Sequence, residues 1–357
     1  MKKQTQGAIL IIVLWFIAII TIMVATLAGE TRLSAKTVFH HQQALQQWID
    51  TLTTLHKAEM ELILSRLPPD PDSEEMKLMP GERKNPLYQF DGRELTLAYA
   101  VPEGVIVRIF DHAGKINLQR LSRQQFRDIL IKHLGEGEPA KLDEIQEAWE
   151  DWIDRDDAKR LNGAEKDYYE KLTPPYEPRN GRIETTRELL LIKGMDEVFK
   201  DFDIDTAFTV YGDITGINPN LATPEALSQL PGLNAESIQE ILTRRRAKEF
   251  KSNSDFNEFM QPEQLAEFIP WINFSTSNYY TIAIQLKSPD EQVATEKNEV
   301  NTIGDNSSKK QQYAYMETLQ LMGTHQIPKI LMINPYGILP DNSHEALGIE
   351  LEKEILN

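Results

Sequence analysis

The pattern of apolar and polar positions changes character several times along the chain. Residues Ala8 to Leu27, AILIIVLWFIAIITIMVATL, run for 20 positions without a charge. At 1.5 Å per residue that stretch spans about 30 Å, the thickness of a bilayer's hydrocarbon core. After Gly29, apolar residues recur at Leu33, Val38, Leu45, Trp48, Ile49, Leu52, Leu55 and Leu62, spacings that mark one face of a helix. No proline interrupts before Pro68-Pro69, so the pattern predicts one helix over 8–67, with 8–27 transmembrane. Such a helix is about 90 Å long. It is lipid-facing at one end and one-sided at the other, and it needs something to pack against at both levels.

Residues Pro68 to Asn85 are rich in proline and charge and read as a loop. Strand patterns follow at Glu94–Ala100 and Val105–Phe110, and again at Tyr279–Leu286, Tyr313–Met322 and Ile327–Asn334. Between the two groups, from Leu118 to about Trp271, the spacing is helical. The expected fold class is α+β: a long N-terminal helix and a small antiparallel sheet interrupted by a large all-α insertion. The sheet's first part is assigned to 68–117, the helical insert to 118–275 and the sheet's second part to 276–340. Residues 287–310 are expected to form a mobile loop, and 341–357 an acidic tail. Gly114-Lys115-Ile116-Asn117-Leu118 and Thr215-Gly216-Ile217-Asn218-Pro219 form a faint repeat, each pairing a buried apolar anchor with an Asn that bonds local backbone. Each precedes a capped helix start, at Ser122 and at Thr223-Pro224.

Charge narrows the function classes. Lys and Arg total 38 against 55 Asp and Glu, a net charge of −17, which disfavours nucleic acid as the main partner. The chain has no cysteine, so disulfides, thiolate zinc sites and cysteine nucleophiles are excluded together. No phosphate loop, Gly-x-Ser-x-Gly or His-Glu-x-x-His occurs, and nothing asks for catalysis. His40, His41 and His56 lie on the long helix as surface residues. Lys2 and Lys3 precede the apolar stretch and leave the short N-terminus in the cytoplasm. A secretory signal cleaved after Ala28 is the competing view of this segment.

The N-terminus resembles type IV pilin-like proteins, which carry a short basic leader ending in Gly before a long apolar helix. Met1 to Gly7 matches the leader, and the resemblance implies cleavage by a prepilin peptidase between Gly7 and Ala8. The fifth mature residue, usually Glu in such proteins, is Ile12 here, and the K component of type II secretion is the member that typically lacks the Glu. The series Asp151-Trp152-Ile153-Asp154-Arg155-Asp156-Asp157, Gly163-Ala164-Glu165, Tyr168-Tyr169, Pro174-Pro175-Tyr176, Asn180 and Glu188 to Met195 looks like the signature of that component's helical domain. The resemblance spans most of residues 7–260. It implies a minor pseudopilin, non-enzymatic and single-pass in the inner membrane, with its bulk in the periplasm. It also implies partnership with the I, J and H components and the major pseudopilin, a place at the pseudopilus tip, and calcium in the helical domain.

Two segments carry candidate sites. Asp143, Glu144, Glu147, Glu150, Asp151, Asp154, Asp156, Asp157, Glu165 and Asp167 crowd together, which is unfavourable without a cation or basic partner. Asp154, Asp156 and Glu165 mimic positions 1, 3 and 12 of a calcium loop, but Ala158 and Lys159 depart from it at positions 5 and 6. Asp154, Asp156, Asp157 and Glu165 are therefore calcium candidates, set against a solvated acidic loop pairing with Arg155, Lys159 and Arg160. Leu221 to Arg246, LATPEALSQLPGLNAESIQEILTRRR, resembles a helix–hairpin–helix module. Arg244, Arg245 and Arg246 keep open an alternative, a membrane-anchored DNA receptor of the competence type. The Asn at 234 in place of the hairpin's second Gly, and Glu236 in the helix's first turn, weaken phosphate binding.

Overall fold

The apolar and amphipathic stretches form a single helix α1, Gln6–Leu64, 59 residues without a break. The computed structural model describes residues 6–66, 77–78, 89–200, 202–286, 313–323 and 326–340, with side chains from residue 11 onward. The expected loop 287–310, the tail 341–357 and most of 68–88 lie outside the described residues. The chain divides into two compact units, Met1–Thr53 and Thr54–Asn357.

In the first unit the apolar side chains from Ile11 to Leu27 are exposed, as are Leu33, Val38, Leu45, Trp48 and Ile49. By length and composition this helix is able to cross a membrane. Its hydroxyls are turned inward on the backbone: Thr21 donates to the Ile17 carbonyl at 2.7 Å and Thr26 to the Met23 carbonyl at 2.9 Å. An apolar surround therefore meets no unsatisfied hydroxyl there.

In the second unit the last turns of α1 bury Leu55, Ala58 and Leu62, one face at spacings of three and four. They belong with a five-stranded antiparallel sheet in the order β1, β2, β5, β6, β7. Its strands are Asp91–Glu94 (β1), Val105–Asp111 (β2), Tyr279–Leu286 (β5), Tyr313–Gln320 (β6) and Lys329–Ile338 (β7). β2 and β5 pair side by side, Val105 opposite Leu286 through Asp111 opposite Tyr280, so the long insert leaves and re-enters the sheet between neighbours. Buried Asp111 pins both ends of that insert: its carboxylate accepts from the Ala113 N–H at 2.8 Å and from the Ser277 hydroxyl at 2.5 Å.

Two strand expectations need correction. The run Glu94–Ala100 keeps alternating burial, but the ladder lies earlier, at Asp91–Glu94. Beyond it the Ala98 N–H turns to the Glu61 carboxylate of α1 instead of a strand. The last strand continues past Asn334 to Ile338, with a register irregularity between Ala314 and Met316, opposite Gly337 and Asn334.

The insert has its own core, in which Phe126 stacks on Trp149 with ring centroids 4.5 Å apart and Trp152 meets Tyr169 edge-on at 5.2 Å. It is not wholly α, as Ile116–Asn117 (β3) pairs in parallel with Phe208–Thr209 (β4). The helices that carry the candidate sites are α2, Arg123–Leu134; α3, Pro139–Ile153; α4, Lys166–Tyr169; α5, Met195–Val198; α6, Ile204–Ala207; α7, Pro224–Ser228; α8, Ala235–Ala247; and α9, Pro262–Phe268. The repeated Ile-Asn pairs tie together segments that lie between β2 and β5. Asn117 and Asn218 each accept the N–H two residues on, at 3.0 Å, and each donates to carbonyls across the fold. Gly114 lets the two loops touch, because a Cβ there would stand 2.0 Å from the Leu221 carbonyl oxygen.

Candidate functional site

The acidic segment folds back on the end of α3. Glu147, Glu150, Asp151 and Asp154 recur every three or four residues and so share one helix face. The loop after α3 returns across that face and supplies donors: the Asn162 N–H reaches Glu147 at 2.6 Å, and the Arg160 N–H reaches Asp151 at 3.3 Å. The Arg160 guanidinium binds Asp151 at 2.6 Å, Asp154 at 2.5 Å and Glu150 at 3.1 Å. These bonds hold it charged. Asp151 is fully buried, and Gly163 makes room for it, since a Cβ there would sit 2.0 Å from the carboxylate.

Glu165 is the odd member. It is 4% exposed, and neither carboxylate oxygen has a hydrogen-bond partner. Burial first, then the charges of Asp151, Asp154 and Asp157, push its carboxyl up to about 7. One oxygen of Asp154 and the side-chain oxygen of Asn180 are likewise buried without partners. Asp157 accepts from the Asn180 amide at 2.7 Å. Asp156 instead caps its own turn, accepting from the Ala158 N–H at 2.9 Å. Among the described residues no three acidic or imidazole side chains already converge as a metal cage. The donor set is nevertheless all oxygen with orphaned buried lone pairs, which suits a hard cation such as calcium.

The hairpin is built as a structural corner. Thr223 caps α7 by accepting from the Ala226 N–H at 3.1 Å, and Asn234 caps α8 by accepting from Ser237 at 2.8 Å. The position where a phosphate would meet the start of α8 is thus taken by the chain's own carboxamide. Lys132 donates to the hairpin carbonyls of Leu230 and Leu233, and Gly232, at φ +72°, packs where a Cβ would lie 2.2 Å from the Gln264 carbonyl oxygen. Of the three arginines, Arg244 pairs with Glu240 and Glu258, Arg245 is buried, and Arg246 is exposed. Arg245 donates to the Pro219 and Ala222 carbonyls at 3.1 and 2.6 Å and stands 3.6 Å from Asp91 of β1. Burial lowers it to about 10, so it stays charged at neutral pH.

Gly7 and Ala8 are the second and third residues of α1. His40, His41 and His56 are exposed on the same helix. His112 and Glu188 are among the buried polar groups whose roles escaped sequence reasoning. His112 bridges Thr209 and Thr281 at 2.6 and 2.8 Å, and burial holds its pKa well below the ordinary value, so it is a neutral pin between insert and sheet. Glu188 takes a two-point bond from Arg179 at 2.6 and 2.9 Å and the Thr185 N–H at 3.0 Å. Thr185-x-x-Glu188 is a capping-box spacing, which is the signal that marks it.

A long apolar helix whose last turns enter an antiparallel sheet, with a helical domain inserted between adjacent strands, defines an α+β protein with a long N-terminal apolar helix. Residues 113–200 match the family model described as type II secretion system (T2SS), protein K. The type II secretion system protein K of Pectobacterium carotovorum subsp. carotovorum is 27% identical over 208 residues, 55% of this chain and 60% of that protein's length. A putative type II secretion system protein K of Escherichia coli (strain K12) is 24% identical over 344 residues, 90% of this chain and 100% of its own length. A chain in the crystal structure of the GspK-GspI-GspJ complex from the enterotoxigenic Escherichia coli type 2 secretion system aligns with TM-score 0.48 and 15% identity, over 85% of this chain and 99% of that one. Over these stretches the chain is similar to type II secretion system protein K.

Proposed function

We propose that the chain is a minor pseudopilin at the tip of a type II secretion pseudopilus, where it helps initiate assembly and supports export of folded proteins across the outer membrane. The observation that carries this is the protein K match at 113–200, which falls within the insert that separates β2 from β5. A bulky insert beside a small sheet is hard to repeat along a thin filament and is readily accommodated at its end. Ile12 offers no carboxylate to a subunit ahead of it, which favours the same position. The exposed apolar row of α1 from Leu33 to Ile49 suits packing against other pseudopilins, the I, J and H components and the major one. In this reading a prepilin peptidase cuts between Gly7 and Ala8. The apolar stretch then spans the inner membrane once, with the bulk of the chain in the periplasm and no catalytic role. Calcium is held by Asp154, Asp157 and Glu165, with the Asn180 oxygen beside them; the orphaned oxygens support this, and the ion would tie the two sides of the acidic loop together.

The test is secretion in the native host. Deleting the gene should leave type II substrates in the periplasm, and the full chain should restore export where a chain lacking 118–275 should not. Normal secretion by the deletion strain would remove the proposal.

A further inference from the structure

Three carboxylates of one helix face, Glu150, Asp151 and Asp154, are bound by a single guanidinium, that of Arg160. The adjacent Glu165 is 4% exposed and both its oxygens lack a partner. Arg123 Nε also stands 3.0 Å from Glu150, so Arg160 is the guanidinium on which Asp151 and Asp154 depend, and Glu165 is left over. Asp154 stands between the two groups: one oxygen is on Arg160, and the other is buried and unpartnered. We propose that Arg160 is a resident cation of this pocket, competing with a divalent cation for Asp154, so that the metal binds fully only when the guanidinium swings away. The inference rests on the calcium reading above and deepens it.

The physical argument has three steps. A guanidinium satisfies carboxylates through a planar fork of donors, whereas calcium needs six to eight oxygens around one point, so the two cannot use Asp154 in the same arrangement. A doubly charged ion beside the guanidinium also repels it. Arg160 is free to leave, since its side chain is 36% exposed while its backbone N–H stays on Asp151. An affinity that requires a minor arrangement is reduced by the fraction of time that arrangement is populated. Arg160 therefore sets the calcium concentration at which the pocket fills, and it keeps the loop closed on α3 when no metal is present.

The experiment uses the full chain in detergent, titrated with calcium chloride by calorimetry and melted in calcium or in EDTA. In Arg160→Gln the calcium Kd should tighten by about tenfold or more, as expected if the guanidinium holds the pocket for about nine-tenths of the time. The same variant should melt lower than wild type in EDTA and recover in calcium. Arg160→Lys, whose ammonium lacks the fork, should fall between the two and decides the matter if the Gln variant does not fold. Calcium binding by wild type with equal or weaker binding by the variants would make Arg160 a structural tie only and overturn the proposal. Absence of calcium binding in wild type and in both variants would instead overturn the calcium reading, and this inference with it.

Discussion

Replacing Arg245 with leucine separates the structural use of the hairpin from a nucleic-acid use. Arg245 is buried and donates to the Pro219 and Ala222 carbonyls at 3.1 and 2.6 Å. Hydrogen bonds from a charged donor contribute about 1.5–3 kcal/mol each. Asp91 keeps Arg93 at 2.6 Å after the substitution, so no uncompensated charge is left behind. The loss is therefore placed at the low end of the roughly 3–5 kcal/mol seen when a buried pair is broken, at about 3 kcal/mol. At about 2–4 °C per kcal/mol for a body of this size, the melting temperature of the full chain in detergent should fall by roughly 6–12 °C. Arg246→Leu, at an exposed position, should stay within about 0.5 kcal/mol of wild type. Neither the wild type nor the variants should hold duplex DNA within the usual non-specific range of roughly 10⁻⁴–10⁻⁶ M at near-physiological salt. An Arg245→Leu protein that melts like wild type would refute the packing argument. A salt-sensitive micromolar DNA complex lost on substituting Arg244, Arg245 and Arg246 would restore the competence-type alternative.

Other outcomes follow from the buried acids. Glu317 of β6 is 3% exposed; burial, and then the hydrogen-bonded Glu59 carboxyl, push it from 4.5 up to about 8. A raised folded pKa means the contribution is complete below about 4.5 and is lost progressively as pH rises from there through about 8, so melting should fall between about pH 4.5 and 8 and level off above, and the decline should flatten in Glu317→Gln. Chelation should lower the melting temperature if calcium binds, with about 2.7 kcal/mol at stake at a hundredfold excess over Kd. Asp154→Ala should abolish that difference, and magnesium should substitute poorly. Gly163→Ala forces a Cβ to within 2.0 Å of the Asp151 carboxylate and should destabilise by about 1–3 kcal/mol in denaturant melts.

The parts of the fold legible in the sequence are those fixed by local pattern. Tyr279–Leu286 alternates and forms β5 at those bounds, and the spacing of Leu55 and Leu62 marks the face of α1 that is buried. The Asn117 and Asn218 side chains bond the N–H two residues on, which needs no distant partner. No alternation marks the far end of the last strand, because its apolar residues are exposed at most positions, Ile330, Ile333 and Tyr336 among them. The site was less legible still. The crowding of acids was plain, but the choice of Arg160 over Arg155 and Lys159 depends on a loop crossing a helix face. His112 finds its partners 97 and 169 positions away. Such pairings are set by tertiary closure, which leaves no local periodic trace.

The central claim is that the apolar helix is a processed pseudopilin anchor, and the mature N-terminus tests it most directly. Mass spectrometry of the membrane-held protein from a host with an active prepilin peptidase should give a chain beginning at Ala8. Gly7→Leu should leave an uncut precursor in the membrane. A mature chain beginning at Gly29, or an intact Met1 in such a host, would contradict the account.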